Sequence, residues 1–167
     1  MPITNEKEII IMSVKTISGW LKFAIIMMAL MCFGIQCALS LIFLVSEVQE
    51  IHAMRIPWLI FIWTTAIPMI FAVISSWKTA TNIGKNIMFC NDNAKHLHTI
   101  AMSAAADCAI VSIGNISFLF ANINHPGVCL ASGLIVAIGL AILIAAEGLS
   151  QLIRKAARLQ DDADLTI

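Results

Sequence analysis

Asp107 is the residue of this sequence that most suggests chemistry, because it lies alone within the small and apolar stretch SAAADCAIVSIGN (103–115). No lysine, arginine or histidine lies near it in the sequence. If the stretch crosses a bilayer, a charged aspartate costs about 2.5–3.5 kcal/mol, so its side chain should face the protein interior or a wet cavity, or be protonated. Two roles follow: a site for an ion, a proton or a ligand, or a protonated acid that ties helices together by hydrogen bonds. In the second case Asp107→Leu should destabilise the fold, because it strands a buried partner.

Two amides are candidate companions of Asp107. Asn115 follows it by about two helical turns, so both lie on roughly the same face of a helix. Gln36, in an earlier apolar stretch, is expected at a depth similar to that of Asn115. The pattern predicts a polar seam of Gln36, Asp107 and Asn115, which is the candidate ligand or ion site.

The stretch CNDNAKHLH (90–98) contains four residues of metal-binding types: Cys90, Asp92, His96 and His98. Zinc sites usually show paired ligands at tighter, recurring spacings, and this stretch has a single cysteine. We therefore interpret it as a polar loop, and we expect neither a metal nor another cofactor. The sequence also contains no phosphate loop, nucleophile elbow, zinc-protease motif or dinucleotide fingerprint, so no enzymatic activity is expected.

The composition indicates that membrane-spanning helices position these residues. Of the 167 residues, 60% are hydrophobic and 12% are charged, and the mean hydropathy is +0.92. The formal net charge of zero gives no reason to expect direct nucleic-acid binding. Four apolar stretches reach the roughly 20 residues that a span needs: about 17–46, 56–77, 99–121 and 127–149. We predict an all-α integral membrane protein with four transmembrane helices and a single membrane domain over 1–167.

The basic residues predict the orientation of these spans. Of the ten lysines and arginines, only Arg55 lies on one side of the predicted membrane. The others lie on the opposite side: Lys7, Lys15, Lys22, Lys78, Lys85, Lys95, Arg154, Lys155 and Arg158. The positive-inside rule therefore predicts a multi-pass protein of the cell membrane, with both termini, the loop 78–98 and the tail 150–167 in the cytoplasm.

Small residues predict how the last two spans pack. On the fourth span they recur at every fourth position (Gly133, Ala137, Ala141 and Ala145), and on the third they form a similar series (Ala101, Ala105 and Ala109). Such faces let helix backbones approach closely. Because the connecting turn is short, the two series predict an antiparallel hairpin packed through them. The alternative is that the small-residue faces join subunits of a homo-oligomer.

The C-terminal stretch EGLSQLIRKAARLQDDADLTI (147–167) is predicted to continue the fourth helix into the cytoplasm. Its leucines are expected on one face and its basic residues elsewhere, and an acidic segment follows. An acidic segment is repelled by anionic lipid, so it should project towards a soluble partner. The candidate partner contacts are Arg154, Lys155, Arg158, Asp161, Asp162, Asp164, Leu165 and Ile167.

The same stretch resembles a family of small bacterial four-helix membrane proteins of unknown function. That family tends to end in Glu-Asn-Asp-Leu-Thr-Ile or Val, and this chain ends in DADLTI, with Ala163 where asparagine is usual. The resemblance also rests on the turn HPG (125–127) and on FCNDNAKHLHTI (89–100), and it covers about 85–167. It implies a location in the bacterial inner membrane.

The resemblance implies a regulatory role, because genes of this family commonly lie beside one for a small helix-turn-helix regulator of the Cro/CI type. The expected function is therefore that of a non-enzymatic membrane protein that acts on such a regulator through its cytoplasmic tail. The first alternative is a small transporter, channel or immunity-type protein that uses the polar site around Asp107. A purely structural membrane subunit is the second alternative.

Overall fold

The structure, a computed structural model, describes residues 3–45 and 49–164, and it describes the side chains of 13–45 and 55–160. This part of the chain forms four helices: α1 (Ile3–Val45), α2 (Gln49–Gly84), α3 (Asn91–Phe120) and α4 (Pro126–Asp164). All four are long and apolar enough to cross a membrane. The predicted all-α class with four membrane helices is confirmed. Every helix is longer than the apolar stretch that predicted it.

The helices form a row in chain order. Among the described residues, α1 packs on α2, α2 on α3 and α3 on α4, and no other pair of helices is in contact. Consecutive helices run antiparallel. Along the direction of the helix axes, the start of α1 and the end of α4 therefore lie at the same end of the molecule. We call this end, which contains Lys22, Lys95, Arg154 and Arg158, the basic end. Large apolar side chains along all four helices are exposed, as the lipid-facing surfaces of a membrane protein are.

At the basic end a polar hydrogen bond joins each pair of neighbouring helices. The Ser18 hydroxyl of α1 donates to the Ala80 carbonyl of α2 over 2.7 Å. The Ser150 hydroxyl of α4 donates to the Ala94 carbonyl of α3, also over 2.7 Å. The α2–α3 pair is joined through an amide of α3, Asn93, which accepts from the α2 side chain of Asn82. Lipid provides no hydrophobic drive for helix association, so such bonds and close backbone contacts stabilise the row.

Asn93 organises the connection between α2 and α3. Its side chain is 1% exposed. Its Oδ1 accepts from Asn82 Nδ2 at 2.8 Å, and its Nδ2 donates to the carbonyls of Ile87 at 2.9 Å and Met88 at 3.0 Å. The predicted loop 78–98 is mostly helical, because α2 continues to Gly84 and α3 begins at Asn91. Asn93 therefore holds a connection of only six residues, 85–90, against both helices.

Both α2 and α3 end in the same way, with an asparagine in the left-handed region. Asn86 has a φ of 62° and Asn122 a φ of 58°. After α2, the Ile87 N–H donates to the Asn82 carbonyl at 3.0 Å, and after α3 the Ile123 N–H donates to the Phe118 carbonyl at 3.0 Å. These are the bonds of a Schellman motif, and asparagine adopts its left-handed position at low cost.

The opposite end is closed by aromatic side chains and by two polar contacts. Trp58 lies 5.3 Å from the Phe43 ring of α1 and 4.5 Å from the Phe118 ring of α3. The Arg55 Nε donates to the Phe43 carbonyl at 2.8 Å, and Asn124 Nδ2 donates to Asn115 Oδ1 at 3.0 Å. α4 then starts at Pro126, where its missing N–H costs nothing.

The predicted packing of α4 through its small-residue stripe is wrong. Residues 133, 137, 141 and 145 are all exposed. The face of α4 that meets α3 lies to one side of this stripe, and only Gly133 borders a groove with α3. On that face Cys108 Sγ donates to the Val136 carbonyl, and a Cβ at Gly139 would overlap the same sulfur. A four-residue repeat shows that a backbone can be approached closely, but it does not identify the approaching helix.

We predict that Asn93→Ala lowers the free energy of unfolding by about 1–3 kcal/mol, because buried polar groups of Asn82, Ile87 and Met88 lose their partner. Asn91→Ala, at an exposed position of the same turn, is the control and should change it by less than about 0.5 kcal/mol. Thermal or SDS-induced unfolding in detergent measures both. Equal stability of the two variants would show that the connection is held by other contacts.

Candidate functional site

Asp107 lies on the side of α3 that faces α2. The Phe61 ring of α2 occupies the space beside Gly114, and Pro68 lines the same groove as Ala106. In this antiparallel register Asp107 is level with Pro68, at the middle of the α2–α3 contact. The side chain is half-buried, and among the described residues its buried Oδ1 has no hydrogen-bond partner.

The three residues of the predicted polar seam make separate contacts. Gln36 Nε2 donates to Thr65 Oγ1 at 3.4 Å, in the contact between α1 and α2. Asn115 Nδ2 donates to the Val111 carbonyl at 2.9 Å within α3, and its Oδ1 accepts from Asn124 at the opposite end. Because α1 does not touch α3 in the described part of the chain, Gln36 is not brought to Asp107. A ligand or ion site at Asp107 stays a prediction, and it rests on that residue alone.

The predicted tail contacts fall on α4, which continues without a break to Asp164. The Arg154, Lys155 and Arg158 side chains are exposed. Arg154 and Arg158 line a cavity with Lys95 of α3, and Lys155 does not. The side chains of Asp161, Asp162 and Asp164, and the whole of Leu165 and Ile167, lie outside the described residues.

The leucines of the tail do not pack on the protein. Leu152 is 64% exposed and Leu159 is 71% exposed. The face of the tail that meets α3 instead contains Ser150, which is 1% exposed, and the buried Ala157. The amphipathic pattern therefore leaves an apolar line on the outside of α4, available to lipid or to another protein.

Three of the four residues of metal-binding types in 90–98, Cys90, Asp92 and His98, have separate partners. Cys90 is the N-cap of α3, and its sulfur accepts from the Asn93 N–H at 3.4 Å. Asp92 pairs with Lys95 at 3.1 Å. No group of three His, Cys, Asp or Glu side chains with the geometry of a metal site occurs among the described residues.

His98 takes part in a contact between α3 and α4 that the sequence does not predict. Its Nδ1 lies 2.7 Å from Glu147 Oε2, and Gln151 Nε2 donates to Glu147 Oε1 at 3.2 Å. Together with the Ser150–Ala94 bond, this contact fixes the register of α4 on α3 near the basic end. Glu147, near the end of the fourth predicted span, is therefore paired with His98, which lies in the predicted loop 78–98.

A profile of the family described as "Protein of unknown function (DUF2975)" matches residues 39–167. The chain belongs to this family. It is also 29% identical over 149 residues to the uncharacterized membrane protein YoaS of Bacillus subtilis (strain 168), an alignment that covers 83% of this chain and 93% of that protein. No solved structure matches the chain.

The family match extends the resemblance found from sequence. It begins at residue 39, near the end of α1, rather than at 85. Together with the four apolar helices and the name of the relative, it shows that the chain is a multi-pass membrane protein. The family description gives no function, so any role must be proposed from the chain's own residues.

Sequence reasoning missed the meeting of Lys95 with Arg154 and Arg158. The spacing of the two arginines shows that they share a face of α4. Only the register of α4 on α3, set by the buried bond between Ser150 and the Ala94 carbonyl, shows that Lys95 joins them. The periodicity of either helix alone does not specify how the two helices are aligned with each other.

We predict that Asp107→Leu leaves the free energy of unfolding unchanged or raises it, because no partner of the carboxyl is stranded. The loss of stability expected from sequence applied only if Asp107 had a buried partner. Asn115→Leu is the matched control and should lower it by about 1–3 kcal/mol, because Asn124 loses its acceptor. Unfolding in detergent measures both. A loss of more than about 1 kcal/mol for Asp107→Leu would show that Asp107 ties helices together.

Proposed function

We propose that this protein is a non-enzymatic regulatory protein of the bacterial inner membrane, which docks a small DNA-binding regulator on the exposed end of α4. The observation that carries the proposal is the length of that helix. α4 has 39 residues. It is therefore about 58 Å long, against a hydrocarbon core of roughly 30 Å.

The proposal includes an orientation in which the basic end is cytoplasmic. Lys22 lies 5.4 Å from the Trp77 ring at that end, and lysine and tryptophan are both typical of an interface. Of the ten lysines and arginines of the sequence, only Arg55 lies at the opposite end. The positive-inside rule then puts the end of α4 in the compartment that contains DNA-binding proteins.

The chemistry of the tail favours a protein partner over simple anchoring. Leu152 and Leu159 present apolar surface that no described residue covers. The acids at 161, 162 and 164 follow them in the sequence. Anionic lipid repels such acids, whereas a basic surface of a DNA-binding protein attracts them. The resemblance noted from the sequence implies the same class of partner.

A second candidate function, that of a small transporter, channel or immunity-type protein, is favoured by Asp107. A half-buried carboxyl without a described partner, at the middle of a helix contact, is typical of an ion or proton site. In that case both Asp107→Asn and Asp107→Leu would abolish a transport or immunity readout while the protein remains folded.

The orientation predicts opposite labelling of Ala121→Cys and Gln160→Cys. Both positions are exposed, Gln160 at the basic end and Ala121 at the opposite end. Each is made in a background without the five native cysteines. A membrane-impermeant maleimide should label the first variant in intact spheroplasts, and the second only after the membrane is permeabilised. Labelling of Gln160→Cys in intact spheroplasts, with protection of Ala121→Cys, would reverse the orientation.

The docking role predicts that deletion of 160–167 abolishes co-purification of a helix-turn-helix regulator and changes expression of its target genes. Membrane insertion should be unaffected, because all four apolar helices remain. Native-membrane purification with mass spectrometry measures the first effect, and resistance to carbonate extraction checks insertion. Capture of the same regulator at unchanged yield by the truncated protein would leave the tail with an anchoring role only.

A further inference from the structure

A cavity of about 290 Å³ lies at the basic end, between the start of α3 and the last part of α4. It is lined by Asn91 and Lys95 of α3 and by Arg154, Ala157 and Arg158 of α4. Three of the five lining side chains are cationic. Ala157, which is buried, lies in sequence between the two arginines of this lining.

The positive charge of this cavity is only partly neutralised. Asp92 pairs with Lys95 at 3.1 Å. Glu147, the nearest acid before the arginines on α4, is held by His98 and Gln151. Among the side chains that the structure describes, no carboxylate forms an ion pair with Arg154 or Arg158. Within the described side chains, two guanidinium groups one helical turn apart therefore lack a close ion pair, although Glu147 is near enough to interact with Arg154 electrostatically.

We propose that this cavity binds a phosphate group, supplied by the headgroup of an anionic glycerophospholipid. Guanidinium groups bind phosphate oxygens with two parallel hydrogen bonds, and a lysine adds a point charge. Basic pockets between membrane helices on the cytoplasmic side are typical sites for cardiolipin and related headgroups. The volume of about 290 Å³ accommodates a phosphodiester together with its hydration.

The position of the cavity favours a lipid over a free anion. Beyond Thr99, α3 is apolar apart from a few polar side chains. On α4, exposed large apolar side chains run from Leu130 to Ile144, before the first charged residue, Glu147. The cavity therefore lies where the apolar span gives way to polar chain, which is the depth of lipid headgroups. This placement holds whether or not the tail docks a regulator. The inference shares with the proposed function only the orientation that puts the basic end in the cytoplasm.

The test is a titration of delipidated full-length protein with cardiolipin, phosphatidylglycerol or phosphatidylcholine, followed by native mass spectrometry. The double variant Arg154→Gln/Arg158→Gln should bind the anionic lipids roughly 10- to 30-fold more weakly than the unmodified protein. Lys155→Gln is the matched control, because it removes one neighbouring charge that does not line the cavity. It should weaken binding less than about twofold.

A second variant distinguishes specific binding in the cavity from general attraction by positive charge. Arg154→Lys/Arg158→Lys keeps the charge but removes the paired hydrogen bonds, and it should bind with intermediate affinity. Binding of the anionic lipids that is as weak in Lys155→Gln as in the double glutamine variant would overturn the proposal. So would displacement of bound lipid by inorganic phosphate at equal concentration, because the ligand would then be a free anion. Circular dichroism and thermal unfolding confirm that all variants fold.

Discussion

The row of helices depends on polar hydrogen bonds buried at its basic end. Ser18 bonds to the Ala80 carbonyl, Asn82 to Asn93, and Ser150 to the Ala94 carbonyl, so each helix contact contains one. In a bilayer, apolar helix faces gain little free energy by packing on one another, because the lipid tails around them are equally apolar. Short polar side chains that reach a neighbouring helix therefore determine which helices meet and at what height.

The same bonds position the functional surface. With Ser150 fixed beside Ala94, the antiparallel direction of α4 brings the next two turns of its helix alongside the first turn of α3. Arg154 and Arg158 consequently share a cavity with Lys95, whereas Lys155 is directed elsewhere. Because α4 contacts only α3 within the described part of the chain, its small-residue face and its leucines are left to lipid or to other proteins.

Hydropathy and charge were sufficient to predict the helices, but not their contacts. Four apolar runs predict four spans, because a bilayer requires each backbone polar group to be bonded within its own segment. The polar residues 78–84 and 91–98 gave no such signal, and their helices are instead fixed by Asn93 and by caps. Likewise, Gln36 was predicted beside Asn115 from depth alone, although depth does not specify which helices are neighbours. It bonds to Thr65 instead.

One continuous helix carries both proposed sites, and this has a thermodynamic consequence. The cavity at Arg154 and Arg158 and the tail that follows belong to the same α4, whose position on α3 is also held by Glu147 and His98. If a headgroup and a soluble partner each bind with different affinity when α4 shifts on α3, their binding free energies are coupled reciprocally. The lipid composition of the membrane then influences how strongly the tail holds its partner, and the partner influences lipid binding to the same extent. A separate flexible tail would carry no such coupling, because its displacement would not move the arginines.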